Sequence, residues 1–154
     1  MNNFITNLLL IKDQNITIED KLDLINVDDQ DTFIFHGTLS YEPKCCTNCG
    51  CIKEGNNIVK NGFGDLFKVA LLKMSECPTY LRLKKQRFKC RECNSKFCVE
   101  TSFVKKHCSI SKNLIFYIMK NLAKTLSFKD IAELSNVSVS TVVSCREVLE
   151  IKTH

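Results

Sequence analysis

The sequence predicts an α+β fold made of three consecutive parts. These are an N-terminal acidic β-hairpin with a short helix (residues 1–42), a four-cysteine module (43–108) and a C-terminal three-helix bundle (109–154). Three observations carry that prediction. Charge is segregated: residues 1–42 hold two Lys/Arg against eight Asp/Glu, a net of −6, while residues 43–154 hold twenty against nine, a net of +11. Two cysteine pairs of identical spacing, Cys46-Thr47-Asn48-Cys49 and Cys90-Arg91-Glu92-Cys93, lie in the middle. From Ser111 onward the apolar residues recur at helical spacing.

Along the first part, Phe4, Ile5, Leu8 and Leu9 fall at helical steps and predict a short helix over residues 3–11. Residues 15–26 and 32–41 alternate as strands do, with Ile16 and Ile18 on one parity of the first and Phe33 and Phe35 on one parity of the second, and Asp28-Asp29-Gln30-Asp31 between them reads as the turn. Packing is the expected role of this hairpin. Residues 56–64 carry turn residues, and residues 66–74 and 79–88 are strand candidates. The second of these, Thr79 to Phe88, interleaves Arg82, Lys84, Lys85 and Arg87 with apolar residues and runs straight into Cys90. Such a strand delivers basic side chains beside the cysteines, where they are expected to contact phosphates.

The ten cysteines admit disulfides, a redox C-x-x-C, unliganded thiols or a metal site. Residues 1–11 lack a basic n-region and a long apolar core, so no secretory signal is read, and no apolar stretch approaches the roughly 20 residues of a membrane helix. A cytoplasmic, reduced protein with no membrane partner is expected, and there repeated C-x-x-C turns read as metal ligands. Two thiolates on each of two tight turns supply four soft ligands, which suits one structural Zn2+ at Cys46, Cys49, Cys90 and Cys93. Gly50 and Asn94-Ser95 follow the pairs and serve the turns. Cys45 and Cys51 flank the first pair and stay open as competing ligands. His107-Cys108 is read as packing.

In the C-terminal part, Leu114, Ile115, Ile118, Met119, Leu122 and Leu126 predict a helix of about four turns. Ser127, with Asp130 three residues on, opens a second helix through Ser135. Ser138 opens a third through Val142, Val143, Val148 and Leu149. Phe128 to Val142 fits the steric needs of a helix-turn-helix. Ala132 is small at the crossing, Asn136 tolerates a left-handed turn, and Ile131, Leu134, Val137 and Val142 fill the core. The last helix then presents Ser138, Ser140, Thr141, Ser144 and Arg146, with Lys129 before it, to double-stranded DNA. That surface is only modestly basic, so help is expected from Arg82 to Arg91 or from Lys105, Lys106 and Lys112.

Taken in order, Ile11-Lys12-Asp13-Gln14-Asn15-Ile16, Cys46-x-x-Cys49-Gly50, Tyr80 to Cys90-x-x-Cys93, Thr101-Ser102, His107-Cys108-x-Ile110-Ser111 and Ser127 to Val142 resemble the N-terminal part of bacterial insertion-sequence transposases of the ISL-three family. The resemblance covers nearly the whole chain. It implies a zinc-finger module and a helix-turn-helix that together recognise the terminal inverted repeats of a mobile element. It also implies cytoplasmic residence in a bacterium, at the nucleoid when bound, and either a second copy or a full-length transposase as protein partner. In that family a DDE domain with three metal-holding carboxylates then cuts and joins strands. The chain stops at His154 with every segment assigned, so a truncated product without catalysis is the expectation. A free-standing zinc-ribbon and helix-turn-helix regulator and a zinc-braced interaction module are the alternatives. A zinc deaminase is excluded because none of His36, His107 and His154 is followed by glutamate two residues on.

Overall fold

Residues 3–105 and 108–153 are described in the computed structural model, so Lys106 and His107, for which phosphate contact and packing were predicted, lie outside the described residues. The fold is α+β, with a mixed six-stranded sheet and four helices among the described residues. α1 (Asn3–Leu8) is shorter than the periodicity predicts, because Leu10 turns to a φ of 54° and the Ile11 N–H closes back on the Thr6 carbonyl. β1 (Ile16–Val27) and β2 (Gln30–Leu39) form the acidic hairpin. Its turn narrows from four residues to two, since Val27 already pairs with Gln30, and Asp28 and Asp29 both take positive φ (52° and 62°).

The other strands are arranged around one long strand. β3 (Ile58–Phe63) and β4 (Phe67–Met74) lead into β5 (Cys77–Cys90), and β6 (Lys96–Cys98) follows it. The first half of β5 lies between β2, which it pairs in parallel from Phe33↔Thr79 to Leu39↔Lys85, and β4, which it pairs antiparallel. Its second half lies between β3 and β6, both antiparallel. The hairpin of residues 1–42 and the cysteine module therefore share one strand.

β3 was read as turn and β6 was not predicted at all. Both are short, and their strand conformation comes from pairing with β5. Within β3 the turn residues have a place: Gly62 has a φ of 71° at a register shift between Lys60 and Phe63.

Burial along β5 changes parity. Leu81 and Leu83 are buried in the first half, Gln86, Phe88 and Cys90 in the second. Successive side chains point to opposite faces, so the buried parity changes along the strand, although both halves contribute to one core. One large core collects Ile16, Ile18, Phe35, Leu39, Val69, Leu81, Leu83 and Phe88, and it reaches Cys46 and Cys90.

α2 (Lys112–Leu122), α3 (Phe128–Ser135) and α4 (Val139–Thr153) enclose a second core of Leu114, Ile118, Ile131, Ala132, Val142 and Cys145, against which Ala70 and Leu72 of β4 pack. The Ser111 and Ser127 hydroxyls accept from the N–H groups of Leu114 (3.2 Å) and Asp130 (3.1 Å), and Ser138 accepts from Thr141 (3.3 Å). Each cap satisfies one otherwise orphaned donor. Two backbone bonds seat the entry to α2 on β4: the Ala70 N–H donates to the Ser109 carbonyl (2.8 Å) and the Ser111 N–H to the Ala70 carbonyl (3.0 Å).

Two expectations are corrected. α2 ends at Leu122, leaving Leu126 37% exposed, because residues 123–127 must leave the helix for Ser127 to cap α3 from extended backbone. Leu134 is 42% exposed, since α3 buries the face formed by Ile131, Ala132 and Ser135. Truncating Leu83, which is wholly buried in β5, to Ala is expected to cost about 2–5 kcal/mol in denaturant unfolding. Leu24→Ala, at a position 59% exposed, is expected to cost less than about 0.5 kcal/mol.

Candidate metal centre and the basic face beside it

The two cysteine turns are built alike. Cys46 follows β2 by a short loop, Cys90 is the last residue of β5, and in each turn the backbone N–H groups curl around the thiols. Asn48 and Cys49 donate to Cys46, and Cys51 donates to Cys49. Glu92 and Cys93 donate to Cys90, and Ser95 donates to Cys93, at the same offsets. Each curl needs one residue in the left-handed region: Gly50 (φ 75°) in the first and Asn94 (φ 62°) in the second. The Gly50 N–H closes the first turn on the Cys46 carbonyl (3.0 Å), and Cys90 closes the second on Ser95 (2.9 Å).

These turns bring Cys46, Cys49, Cys90 and Cys93 together, with all four Sγ atoms within 4.8 Å of one another. The Sγ separations across the turns are 3.7 Å for Cys46 to Cys93 and 3.8 Å for Cys49 to Cys90. A tetrahedral ion with bonds of about 2.3 Å to sulfur holds its ligands about 3.8 Å apart, so this group could hold one metal ion. Cys45 is exposed and bridges to Ile52 on the outside of the turn. Cys51 has its Sγ 3.5 Å from that of Cys90, but it is not one of the four that converge.

Polar side chains from both turns hold the sulfurs. Ser95 Oγ lies 2.9 Å from Cys93 Sγ and 3.5 Å from Cys46 Sγ, and the Asn48 side-chain amide donates across the site to Cys93 (3.5 Å). Asn57 ties the pieces together. Its amide donates to the Ile52 carbonyl (2.8 Å), its side-chain oxygen accepts from Glu54 (2.8 Å), and its own carbonyl accepts from Arg91 in the second turn (2.7 Å). The sequence reading gave Ser95 only local hydrogen bonding and gave Asn57 no role. Ser95 sits two residues past a ligand pair, which is the available signal, whereas nothing local marks Asn57.

The thiols are electrostatically unequal. The Ser95 hydroxyl, with the Asn48 amide and the Ser95 N–H, pushes Cys93 down to about 5. Cys46 is also lowered, by the Cys49 N–H and then the Ser95 hydroxyl. Cys49 and Cys90 accept lowering N–H bonds from Cys51 and Cys93, yet adjacent thiols and burial outweigh these and push both up. A cation that binds must displace the protons that the raised thiols hold.

The basic residues of β5 fall on two faces. Arg82 and Lys84 share a face with Lys68 of β4, since Lys68 and His36 pair in register with Arg82, and Thr38 with Lys84. Lys85 lies on the other face, where it meets Glu100 (3.4 Å) and the Phe67 ring (4.8 Å). Arg87 donates through Nε to the Asn61 carbonyl (3.0 Å). On the Arg82 face, His36 Nε2 lies 2.8 Å from Asp23 Oδ2, and that hydrogen bond holds the Asp23 carboxyl below its usual range.

Lys68 Nζ lies 4.0 Å from the centre of the Tyr80 ring, and the Tyr80 hydroxyl accepts from the Asn136 side chain (2.8 Å), joining this face to the turn between α3 and α4. Lys129, Ser138, Ser140, Ser144 and Arg146 are exposed, and Thr141 is half-buried. Arg146 is engaged with Glu150 (3.0 Å) and lies 5.5 Å over the Phe128 ring, while Ser144 donates to the Ser140 carbonyl (3.0 Å).

Comparison with protein-family models, with curated proteins and with solved structures finds no match to this chain. No helix among the described residues is long and apolar enough to cross a membrane.

Two outcomes follow from the thiol electrostatics. Ser95→Ala is expected to raise the Cys93 midpoint above its value of about 5, read in the metal-free protein from thiolate ultraviolet absorbance against pH. Metal affinity is expected to fall steadily as pH is lowered from neutral, because every ligand must be a thiolate, and chelator competition across pH measures this.

Proposed function

We propose that this chain is the DNA-binding part of a transposase, which recognises the terminal inverted repeats of an insertion sequence and has no strand-transfer activity of its own. The observation that carries the reading is the arrangement of α3, the turn at Asn136 and α4. Asn136 takes the left-handed conformation (φ 54°, ψ 46°), and its N–H closes back on the Ala132 and Glu133 carbonyls. Ala132 is 6% exposed where the helices meet, and Ile131 and Val142 are wholly buried. These are the features a helix-turn-helix needs, and α2 completes a three-helix bundle. The ordered resemblance to ISL-three transposases narrows the DNA class to inverted repeats.

The four thiolates take one structural zinc in this reading. Their separations suit a closed tetrahedral site, and β3, β5 and β6 with the two cysteine turns form a zinc-ribbon-like module. The ion braces β5, whose Arg82 and Lys84, with Lys68, contact phosphates while α4 reads bases. The division of labour follows from charge: Arg146 is paired with Glu150, which leaves α4 to its hydroxyls. That pairing also favours a second reading, a zinc-braced protein-interaction module without DNA. A free-standing regulator differs from the transposase reading only in its target.

Mobility shifts on the inverted repeats of a related element test the proposal. The expected result is sequence-specific binding that weakens steeply with salt, with no strand cleavage. Arg82→Ala is expected to weaken binding to all sequences alike and to reduce the salt slope by about 1, whereas Thr141→Ala changes sequence preference. Binding to none of these DNAs at low salt would leave the interaction module standing. Metal analysis is expected to return about one zinc per chain, and Cys90→Ser is expected to lose it along with the fold of the module.

A further inference from the structure

The quartet has a fifth sulfur against it. Cys51 Sγ lies 3.5 Å from Cys90 Sγ and is also hydrogen-bonded to the side chain of Cys49, so it sits on one edge of the four converging thiols without joining them. Cys51 is partly exposed while Cys90 is fully buried. The Asn57 side-chain amide donates to Cys51 Sγ (3.9 Å) from a residue fixed by its bonds to Ile52, Glu54 and Arg91. Cys51 is therefore held beside a ligand sulfur by the same asparagine that joins the two turns.

We propose that Cys51 and Cys90 form a modification site for hydroperoxides, in which oxidation to a Cys51–Cys90 disulfide withdraws one ligand from the metal. The proposal rests on the structural-zinc reading for its consequence but not for the pairing itself. Thiolates are the reactive form and metal-bound sulfurs are shielded, so the step begins at Cys51, an uncoordinated, partly exposed thiol 3.5 Å from the Cys90 sulfur, whereas exposed Cys45 is not among the thiols that converge.

The Cys51 thiolate attacks one peroxide oxygen. The S–O bond forms as the O–O bond breaks, and the departing hydroxide takes up the thiol's proton to give water. Cys90, leaving the ion as a thiolate, then attacks the Cys51 sulfur. The S–S bond forms, the S–O bond breaks, and the second hydroxide takes a proton from solvent. Two sulfurs lose two electrons in total, and one hydrogen peroxide is reduced to two waters.

The Sγ atoms of Cys51 and Cys90 lie 3.5 Å apart, closer than the 3.7 and 3.8 Å of the two pairs across the quartet, and must close to a bond of about 2.05 Å. Pairing Cys51 with Cys49 would instead close a ring across one intervening residue, with the strain of distorted disulfide geometry.

The test uses the full chain loaded with zinc and treated with hydrogen peroxide, reading zinc release with a chromogenic chelator and disulfides by non-reducing peptide mapping. Wild type is expected to release zinc with a Cys51–Cys90 cross-link, and dithiothreitol with added zinc restores the loaded state. Cys51→Ser is expected to bind the same zinc but release it about tenfold more slowly, while Cys45→Ser behaves as wild type. Release from Cys51→Ser at the wild-type rate, or a map dominated by other pairs, would overturn the proposal. A chain that takes up no zinc before peroxide would refute the metal reading instead. The map of the peroxide-treated, metal-free protein would still decide whether Cys51 and Cys90 pair.

Discussion

The strand β5 is the constraint on which the sheet depends, because it pairs with four of the other five strands among the described residues. Its 14 residues pair with β2 and β4 in one half and with β3 and β6 in the other, and its last residue is a member of the cysteine quartet. The burial pattern along it changes parity between Leu83 and Gln86, although Leu81, Leu83, Phe88 and Cys90 all belong to one core. Lys84 and Lys85 are adjacent at that change, Lys84 exposed and Lys85 half-buried. The position of the basic face is thus a consequence of the sheet. Leu81 and Leu83 pointing into the large core put Arg82 and Lys84 on the side that carries the helices.

That geometry ties the cysteine quartet to the rest of the fold. The first turn reaches the second through Ser95, Asn48 and Asn57, and the second is continuous with β5. From β5 the Tyr80 hydroxyl meets Asn136 at the turn between α3 and α4, and Ala70 of β4 holds the entry to α2. A DNA-binding reading needs its phosphate contacts and its base-reading helix held in fixed relation, and this path supplies the relation. An interaction module would use the same rigidity, which is why the two readings separate on charge and salt rather than on shape.

The sequence made legible whatever depends on local chemistry. The spacing of Cys46, Cys49, Cys90 and Cys93 identified the four sulfurs that converge, and Gly50 and Asn94 marked their turns. Ser127, Asn136 and Ser138 marked the boundaries of α3 and α4, because capping and left-handed backbone are properties of one or two residues. Features decided by partners distant in sequence were hidden. The strand state of Ile58–Phe63 and Lys96–Cys98 is imposed by β5. The separation of Lys85 and Arg87 from Arg82 and Lys84 follows from the parity change, and the value of Lys68 appears only when β4 is laid beside β5.

Both tight hairpins make their turns without glycine. Asp28-Asp29 joins β1 to β2 and Ser75-Glu76 joins β4 to β5, all four at φ between 51° and 62°. The mirror-image turn matches the twist of the strands, but a side chain in that conformation costs on the order of 1 kcal/mol per residue, least for aspartate. The turns therefore oppose folding slightly, and strand register is set from the core outward. Both turns adjoin the helices: Gln30, next to Asp29, and Lys73, two residues before Ser75, line one cavity with Ala132, Asn136 and Ser138, so glycine at Asp29 or Glu76 would relieve strain directly beside α3 and α4.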